Sequence, residues 1–315
     1  PATIDNDISC TNYCIGFDTA ANTAIECIDK LRDTMQSHER CSVVEVMGRN
    51  AGYLAMYVGL AVGATAVLVP EEPINFEKDV IEKISDVKQA KDIINRGKHG
   101  AIFAIEDARA LCGSLSALRM FYPLGVRAIT PAWNDDNDVT DGIASERGAG
   151  LTAFGKEVVK EMNKLGMVID CSHLGDKGFY DVVSLSTKPI VCSHSCSRTV
   201  CNHVRNMTDD MLFKLKENGG VTGINYCHDF IKEDKTLATV EDMIKHITYI
   251  KNLIGIDYVG LGSDFDGIGN SDIELKDASM MNQLIEGLKK EGYTEEEIDK
   301  ICYKNVLRVF KANFQ

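Results

Sequence analysis

The sequence predicts a parallel α/β fold from three observations. Helical and strand periodicities alternate along the whole chain, which favours parallel α/β over segregated α+β. From residue 101 onward one unit repeats, a short apolar run followed by an amphipathic helix. Ionisable residues stand where several of those runs end: Glu106 closes 101–105, His173 follows 167–170, His194 follows 189–192 and Asp264 follows 258–263.

In chain order, Asp18 to His38 reads as a helix with Ile25, Ile28, Leu31 and Met35 on one face. Ser42 to Met47 reads as a strand, Ala51 to Val62 as an apolar helix of small residues, and Thr65 to Val69 as a second strand. Phe76 to Arg96 reads as one helix or two, with Gly97 as the stop. Strands follow near 101–106, 126–130, 167–171, 189–193, 220–225 and 258–263. Between them lie helices near 114–122, 154–165, 177–186, 208–218 and 239–254, then a helical tail over about 277–313. Met243, Ile247, Ile250 and Ile254 give the 239–254 helix an inward stripe. Six strands thus follow residue 100 and two precede it, where a closed (β/α)8 barrel needs eight.

At 315 residues the chain can bury a large core, and 44% hydrophobic with 26% charged residues is ordinary for a globular protein. No apolar run reaches the roughly 18 residues of a membrane span, and Pro1 to Asp7 has neither a basic n-region nor an apolar h-region. A cytoplasmic protein is the expectation. The chain opens without Met inside what reads as a loop, as though cut from something longer. A net charge of -13 argues against nucleic acid or anionic membrane as a partner. Eleven cysteines with no even framework read as reduced thiols. Cys192, Cys196 and Cys201, near His194 and His203, could suggest a structural zinc cluster, but no CxxC pair occurs and small buried residues are the expectation.

If the strand ends converge on one mouth, Glu106, His173, His194 and Asp264 meet although far apart in sequence. A carboxylate and two imidazoles spread over separate strands suit a catalytic zinc rather than a finger-type site. The alternative is that each is an ordinary polar residue of surface or core.

The stretches Gly150 to His173, Ser193 to Asn206 (SHSCSRTVCNHVRN) and Val259 to Gly267 (VGLGSDFDG), with Asn305 to Phe310 (NVLRVF), resemble the membrane dipeptidase (renal dipeptidase) family of zinc peptidases from about residue 85 to the end. The resemblance implies a TIM-type barrel with two zinc ions sharing a bridging carboxylate and cleaving dipeptides. On matching positions it implies Glu106 as the bridging ligand, His173 and His194 as ligands of one zinc, Asp264 as the acid/base residue and Arg205 as the clamp on the substrate carboxylate. Trp133, in ITPAWN, falls where the mammalian enzymes have a histidine contact to substrate. The family's second zinc depends on a His-x-Asp pair at the end of its first barrel strand, and no such pair occurs in this sequence. One zinc site is retained and the second is in doubt.

Upstream, Thr3 to Asp7, Ile15 to Thr19, Ser37 to Arg40 and Val44 to Gly52 resemble the middle of ATP-dependent 6-phosphofructokinase over about residues 1–84. That resemblance implies Asp5 as base on a sugar hydroxyl, Asp7 as a carboxylate beside magnesium and Thr3 as a substrate contact. Met47, Gly48 and Arg49 then form a sugar-phosphate loop and Arg40 a phosphate contact. The family's Gly-rich ATP segment is not in this sequence, so Mg2+ and ATP enter only under this alternative.

The expectation is an α/β chain in two parts: a phosphofructokinase-like fragment over 1–84, then an incomplete (β/α)8 TIM-type barrel of six β/α units over 85–315. The expected function is a zinc-dependent dipeptidase with a dipeptide as substrate, impaired by the missing His-x-Asp. The alternatives are a sugar-phosphate-binding fragment and a catalytically dead chimera; self-association into a homo-oligomer is left open.

Overall fold

A computed structural model describes residues 2–8, 13–36, 44–48, 51–62, 64, 67, 69–71, 82–83, 89, 100–269 and 271–314. The chain separates into two compact units, Pro1–Glu82 and Lys83–Gln315.

In the first unit, helix α1 (Phe17–Gln36) begins with Asp18 in its first turn, where a carboxylate meets the positive end of the helix dipole. Phe17, Ala21, Ala24, Ile25 and Ile28, spaced three and four apart, pack with Leu54 and Val58 of helix α2 (Tyr53–Ala61). The side chains of Leu31 and Met35, Arg40 and Arg49, and all of the expected helix at 76–96 except 82–83 and 89 lie outside the described residues; Glu82–Lys83 is a short strand and not helix. Of the strand expected over 42–47, residues 42–43 lie outside the described residues and 44–47 form no ladder with another described residue. A strand exists only by pairing with a neighbour, and most of the expected neighbour at 65–69 is likewise undescribed.

The second unit carries the six expected strands: β1 (Phe103–Glu106), β2 (Val126–Thr130), β3 (Val168–Ile169), β4 (Val191–Cys192), β5 (Val221–Ile224) and β6 (Val259–Leu261). The pairings among these six are parallel and consecutive, β1-β2-β3 and β4-β5-β6, and a parallel bridge from Asp170 to Val191 joins the two triplets. Helices α3 (Leu115–Phe121), α4 (Ala153–Leu165), α5 (Asp176–Leu185), α6 (Asp209–Asn218) and α8 (Val240–Ile254) fall between the strands, with short α7 (His228–Ile231) after β5. The tail forms α9 (Met281–Lys290), α10 (Glu295–Asp299), a π-helical turn (Lys300–Lys304) and α11 (Asn305–Asn313).

Capping explains several of these boundaries. Thr152, Thr208 and Thr239 each accept a backbone N–H in the first turn of α4, α6 and α8, and Gly166 and Gly219 end α4 and α6 in the left-handed conformation. The stripe Met243, Ile247, Ile250 and Ile254 is fully buried, as its spacing predicts.

Strand side chains alternate between two apolar layers. Ile129, Ile169, Cys192 and Ile224 face the helices. Ala128, Val168, Val191 and Val221 face the other way and pack against Val306, Val309 and Phe310 of α11. Asn305 anchors that helix by donating to Ile256 O at 2.7 Å and Val259 O at 2.8 Å.

His246 lies inside the core, its Nδ1 accepting from Ser197 N at 3.2 Å and its Nε2–H donating to Ile231 O at 2.9 Å. Burial lowers its pKa to about 4. The unfolded imidazole titrates near 6.5, so between those values the unfolded state binds more protons and stability falls as pH drops through that window, by about 3 kcal/mol in full. Urea midpoints at pH 7 and pH 4.5 should therefore diverge more in the wild type than in His246→Gln; equal acid sensitivity of the two would refute this.

Candidate metal centre

The parallel strands deliver their C-terminal ends to one edge of the sheet. Glu106 is the last residue of β1. Asp107 follows at φ 83°, and its carboxylate fixes the turn by accepting Arg109 N at 2.9 Å and Asn137 Nδ2 at 2.7 Å. Beyond β3, Cys171 N still bonds Val191 O at 2.7 Å, and the chain then reverses at His173, which has φ 70°. His194 follows β4 and is held to the neighbouring loop by His194 N donating to Ser172 Oγ at 3.0 Å. A Cβ on Gly262 would lie 1.8 Å from Ser193 O and one on Gly223 2.1 Å from it, so β5 and β6 can approach the His194 loop only with glycine at both places.

Three ligand-type atoms converge. His173 Nε2 lies 3.2 Å and His194 Nε2 3.6 Å from Glu106 Oε1. One atom from each side chain falls within 4.8 Å of the others, and this is the metal-capable group found among the described residues. The imidazole side chains are 9% and 11% exposed, the Glu106 side chain 40%. The outer ring nitrogens are tethered, His173 Nδ1 at 2.9 Å from Asn134 Oδ1 and His194 Nδ1 at 2.7 Å from Ser193 Oγ.

Charge states suit coordination. The hydrogen bond from His173, with the nearby His194 and Arg205, holds the Glu106 carboxyl below its ordinary value despite burial. Burial holds the His173 imidazole below its own, so it is kept neutral. An ionised carboxylate and a neutral imidazole are the forms that bind a cation. His194 Nε2 is buried with no hydrogen-bond partner, a position that otherwise costs free energy. Donor set, charge and orphaned nitrogen together fit a divalent metal with nitrogen and oxygen ligands.

Around this trio, Asp264 stands at φ 59° and accepts Asn225 Nδ2 at 3.0 Å. Arg205 is 8% exposed, with its guanidinium 5.4 Å over the Phe230 ring and Nη2 buried without a partner. Burial lowers its pKa, opposed by the charges of Asp264, Asp170 and Glu106. Trp133 is 46% exposed, its ring centroid 6.0 Å from that of His173.

The cysteine cluster is not a metal site among the described residues. Cys196 Sγ donates to Asn225 O and Cys201 Sγ to Asp229 O, and burial pushes both thiols up, Cys201 to about 11. In the first unit, Thr3 Oγ1 accepts Asp5 N at 3.2 Å, Asp7 is exposed, Met47 is 69% exposed, and Gly48 O accepts Ala51 N.

Sequence reasoning did not single out Asn134, Asp170, Ser193 or Asn225, the groups that orient His173, His194 and Asp264. Asn134, Asp170 and Ser193 lie within three residues of a site residue and Asn225 directly follows β5, so position at or just after a strand end was the available signal.

The sequence model described as "Membrane dipeptidase (Peptidase family M19)" matches residues 30–314. Among curated proteins, the uncharacterized dipeptidase C965.12 of Schizosaccharomyces pombe is 40% identical over 223 residues, covering 69% of this chain and 54% of that protein. Dipeptidase tcpJ of Claviceps purpurea is 35% identical over 235 residues, covering 74% and 55%. The chain thus spans about half the length of these relatives. Among solved structures, a metallo peptidase from Rhodobacter sphaeroides, liganded with a phosphinate mimic of L-Ala-D-Ala, superposes with TM-score 0.69 at 28% identity, covering 74% of this chain and 69% of that one. A dipeptidase of family M19 gives 0.70 at 29% identity, covering 74% and 71%. With a family model spanning most of its length and a fold shared at these identities, the chain belongs to the membrane dipeptidase family, peptidase family M19.

Proposed function

We propose that this chain carries out metal-dependent hydrolysis of dipeptides, and the observation that carries the reading is the meeting of Glu106, His173 and His194 from three strand ends. Zinc suits the donor set, and Glu106, His173 and His194 would hold it. A divalent ion there supplies Lewis acidity that polarises a carbonyl and acidifies water. Arg205 offers a planar pair of donors to the substrate carboxylate, which gives its orphaned Nη2 a partner. Asp264, held by Asn225, moves the proton to the leaving amine. Trp133 supplies an apolar wall beside His173. With no His-x-Asp pair in the sequence, the proposal is one zinc site.

The enzyme is proposed to act in the cytoplasm. Phosphofructokinase ancestry of residues 1–84 rests on sequence motifs alone, and the dipeptidase family model already begins at residue 30. Under that alternative, fructose 6-phosphate raises the melting temperature of the protein and Arg49→Ala abolishes the rise; no shift removes it.

Hydrolysis of Ala-Asp or Leu-Gly should require added zinc, and Glu106→Ala should abolish it. Wild-type turnover no higher than that of Glu106→Ala would sink the dipeptidase reading. Arg205→Lys keeps the charge but not the fork, so kcat/KM should fall about 10- to 100-fold on dipeptides, with far less effect on substrates whose C-terminus is amidated. An equal loss on both would remove Arg205 from carboxylate binding.

A further inference from the structure

Asp170 is 8% exposed and surrounded by donors. Its Oδ1 accepts Ser172 N at 3.0 Å and Ser193 N at 2.9 Å, while its Oδ2 accepts Ser193 Oγ and, at 3.4 Å, Thr130 Oγ1. An ionised carboxylate can only accept, and a serine hydroxyl has one proton to give. Ser193 also meets His194 Nδ1 at 2.7 Å. Were its proton directed at His194, the lone pairs of Ser193 Oγ and Asp170 Oδ2 would face each other in close contact. The proton therefore belongs to Asp170, the contact to Ser172 Oγ being longer at 3.4 Å. Ser193 Oγ is then left as an acceptor, and His194 Nδ1 must carry a hydrogen.

We infer that Asp170 and Ser193 are positioning residues that order the protons around His194, fixing the tautomer with hydrogen on Nδ1 so that the Nε2 lone pair faces Glu106 and His173. This deepens the proposed metal reading and rests on it. Nε2 is the atom left buried without a hydrogen-bond partner, 3.6 Å from Glu106 Oε1. Hydrogen bonds to the outer nitrogen of a ligating histidine set its tautomer and ring orientation, and their loss costs about 10- to 100-fold in metal affinity. Here the carboxylate acts through an intervening hydroxyl, so Asp170→Asn has a specific consequence. An amide that donates to Ser193 reverses the chain of donors and moves the His194 hydrogen to Nε2.

Long-range 1H–15N correlation of the metal-free protein reads the tautomer directly, and Co2+ binding followed by visible absorption reads its effect on the site. The wild type is expected to show His194 with hydrogen on Nδ1. Ser193→Ala and Asp170→Asn should populate the Nε2–H form and weaken Co2+ binding about 10- to 100-fold. Ser193→Thr, which keeps the hydroxyl, should restore both readouts to within about threefold. An Nε2–H tautomer in the wild type overturns the inference even if no variant folds. Folded Ser193→Ala protein with an unchanged tautomer and unchanged Co2+ affinity overturns it too. Wild-type protein that binds no Co2+ yet shows the Nδ1–H tautomer sinks the metal reading instead and leaves the proton order standing.

Discussion

Parallel pairing in one register is the constraint on which the rest of the second unit depends. Glu106 lies opposite Thr130, two residues beyond Ala104 and Ala128 on the same face, and Asp170 follows Val168 by the same step. The polar groups at the strand ends therefore continue the face that lower down carries Ala128, Val168, Val191 and Val221. A slip of one residue would exchange the two faces of a strand, turning Glu106 toward the helix layer and Ile129 toward α11. In β2 to β5 both faces are apolar and close-packed, so such a slip is resisted there from both sides. Site geometry is in this sense a product of core packing several residues away.

Electrostatics then decide what the gathered groups become. Arg205 is buried in a chain of net charge -13, and Asp264, Asp170 and Glu106 all favour its charged form. An uncompensated buried guanidinium would be costly, whereas one facing carboxylates and an aromatic ring is tolerable. The same burial that opposes the Arg205 charge keeps His173 neutral, while its hydrogen bond to Glu106 keeps that carboxylate ionised. Neighbouring groups thus settle into complementary states, a guanidinium cation beside an ionised carboxylate that can receive a cation. Asp170 links the two halves, acting on Arg205 through space and reaching His194 through Ser193.

Periodicity revealed much of this fold. The six strands after residue 100 and the helices between them lie within a few residues of their expected positions, because apolar runs mark the strands and residues such as Thr152, Gly166, Thr208 and Gly219 mark helix ends. Glu106, His173 and His194 were legible because they directly follow such runs. The orienting groups were not: Asn134 and Asn225 resemble loop or strand-end polar residues, and Ser193 and Asp170 acquire meaning only when two loops are laid side by side. The short helix His228–Ile231 escaped because four residues hold barely one helical period, too little for a pattern to repeat. The strand expected at 42–47 forms no ladder among the described residues, and a local pattern by itself does not identify the neighbour that a ladder needs.

The edge of the sheet bears on the exposure of Glu106. Among the described residues β1 pairs on one side only, with β2. Its burial shows the consequence: Ala104 and Glu106 are exposed, whereas all five residues of β2 are buried. A further strand on that flank would cover Ala104 and set its own C-terminal residues beside Glu106, opposite the two histidines. The resemblance puts the His-x-Asp pair at the end of such a first strand, and Glu106 is the ligand that would bridge to it. Among the described residues, the ligand-type side chains gathered at Glu106 are His173 and His194, and the other side of Glu106 is exposed.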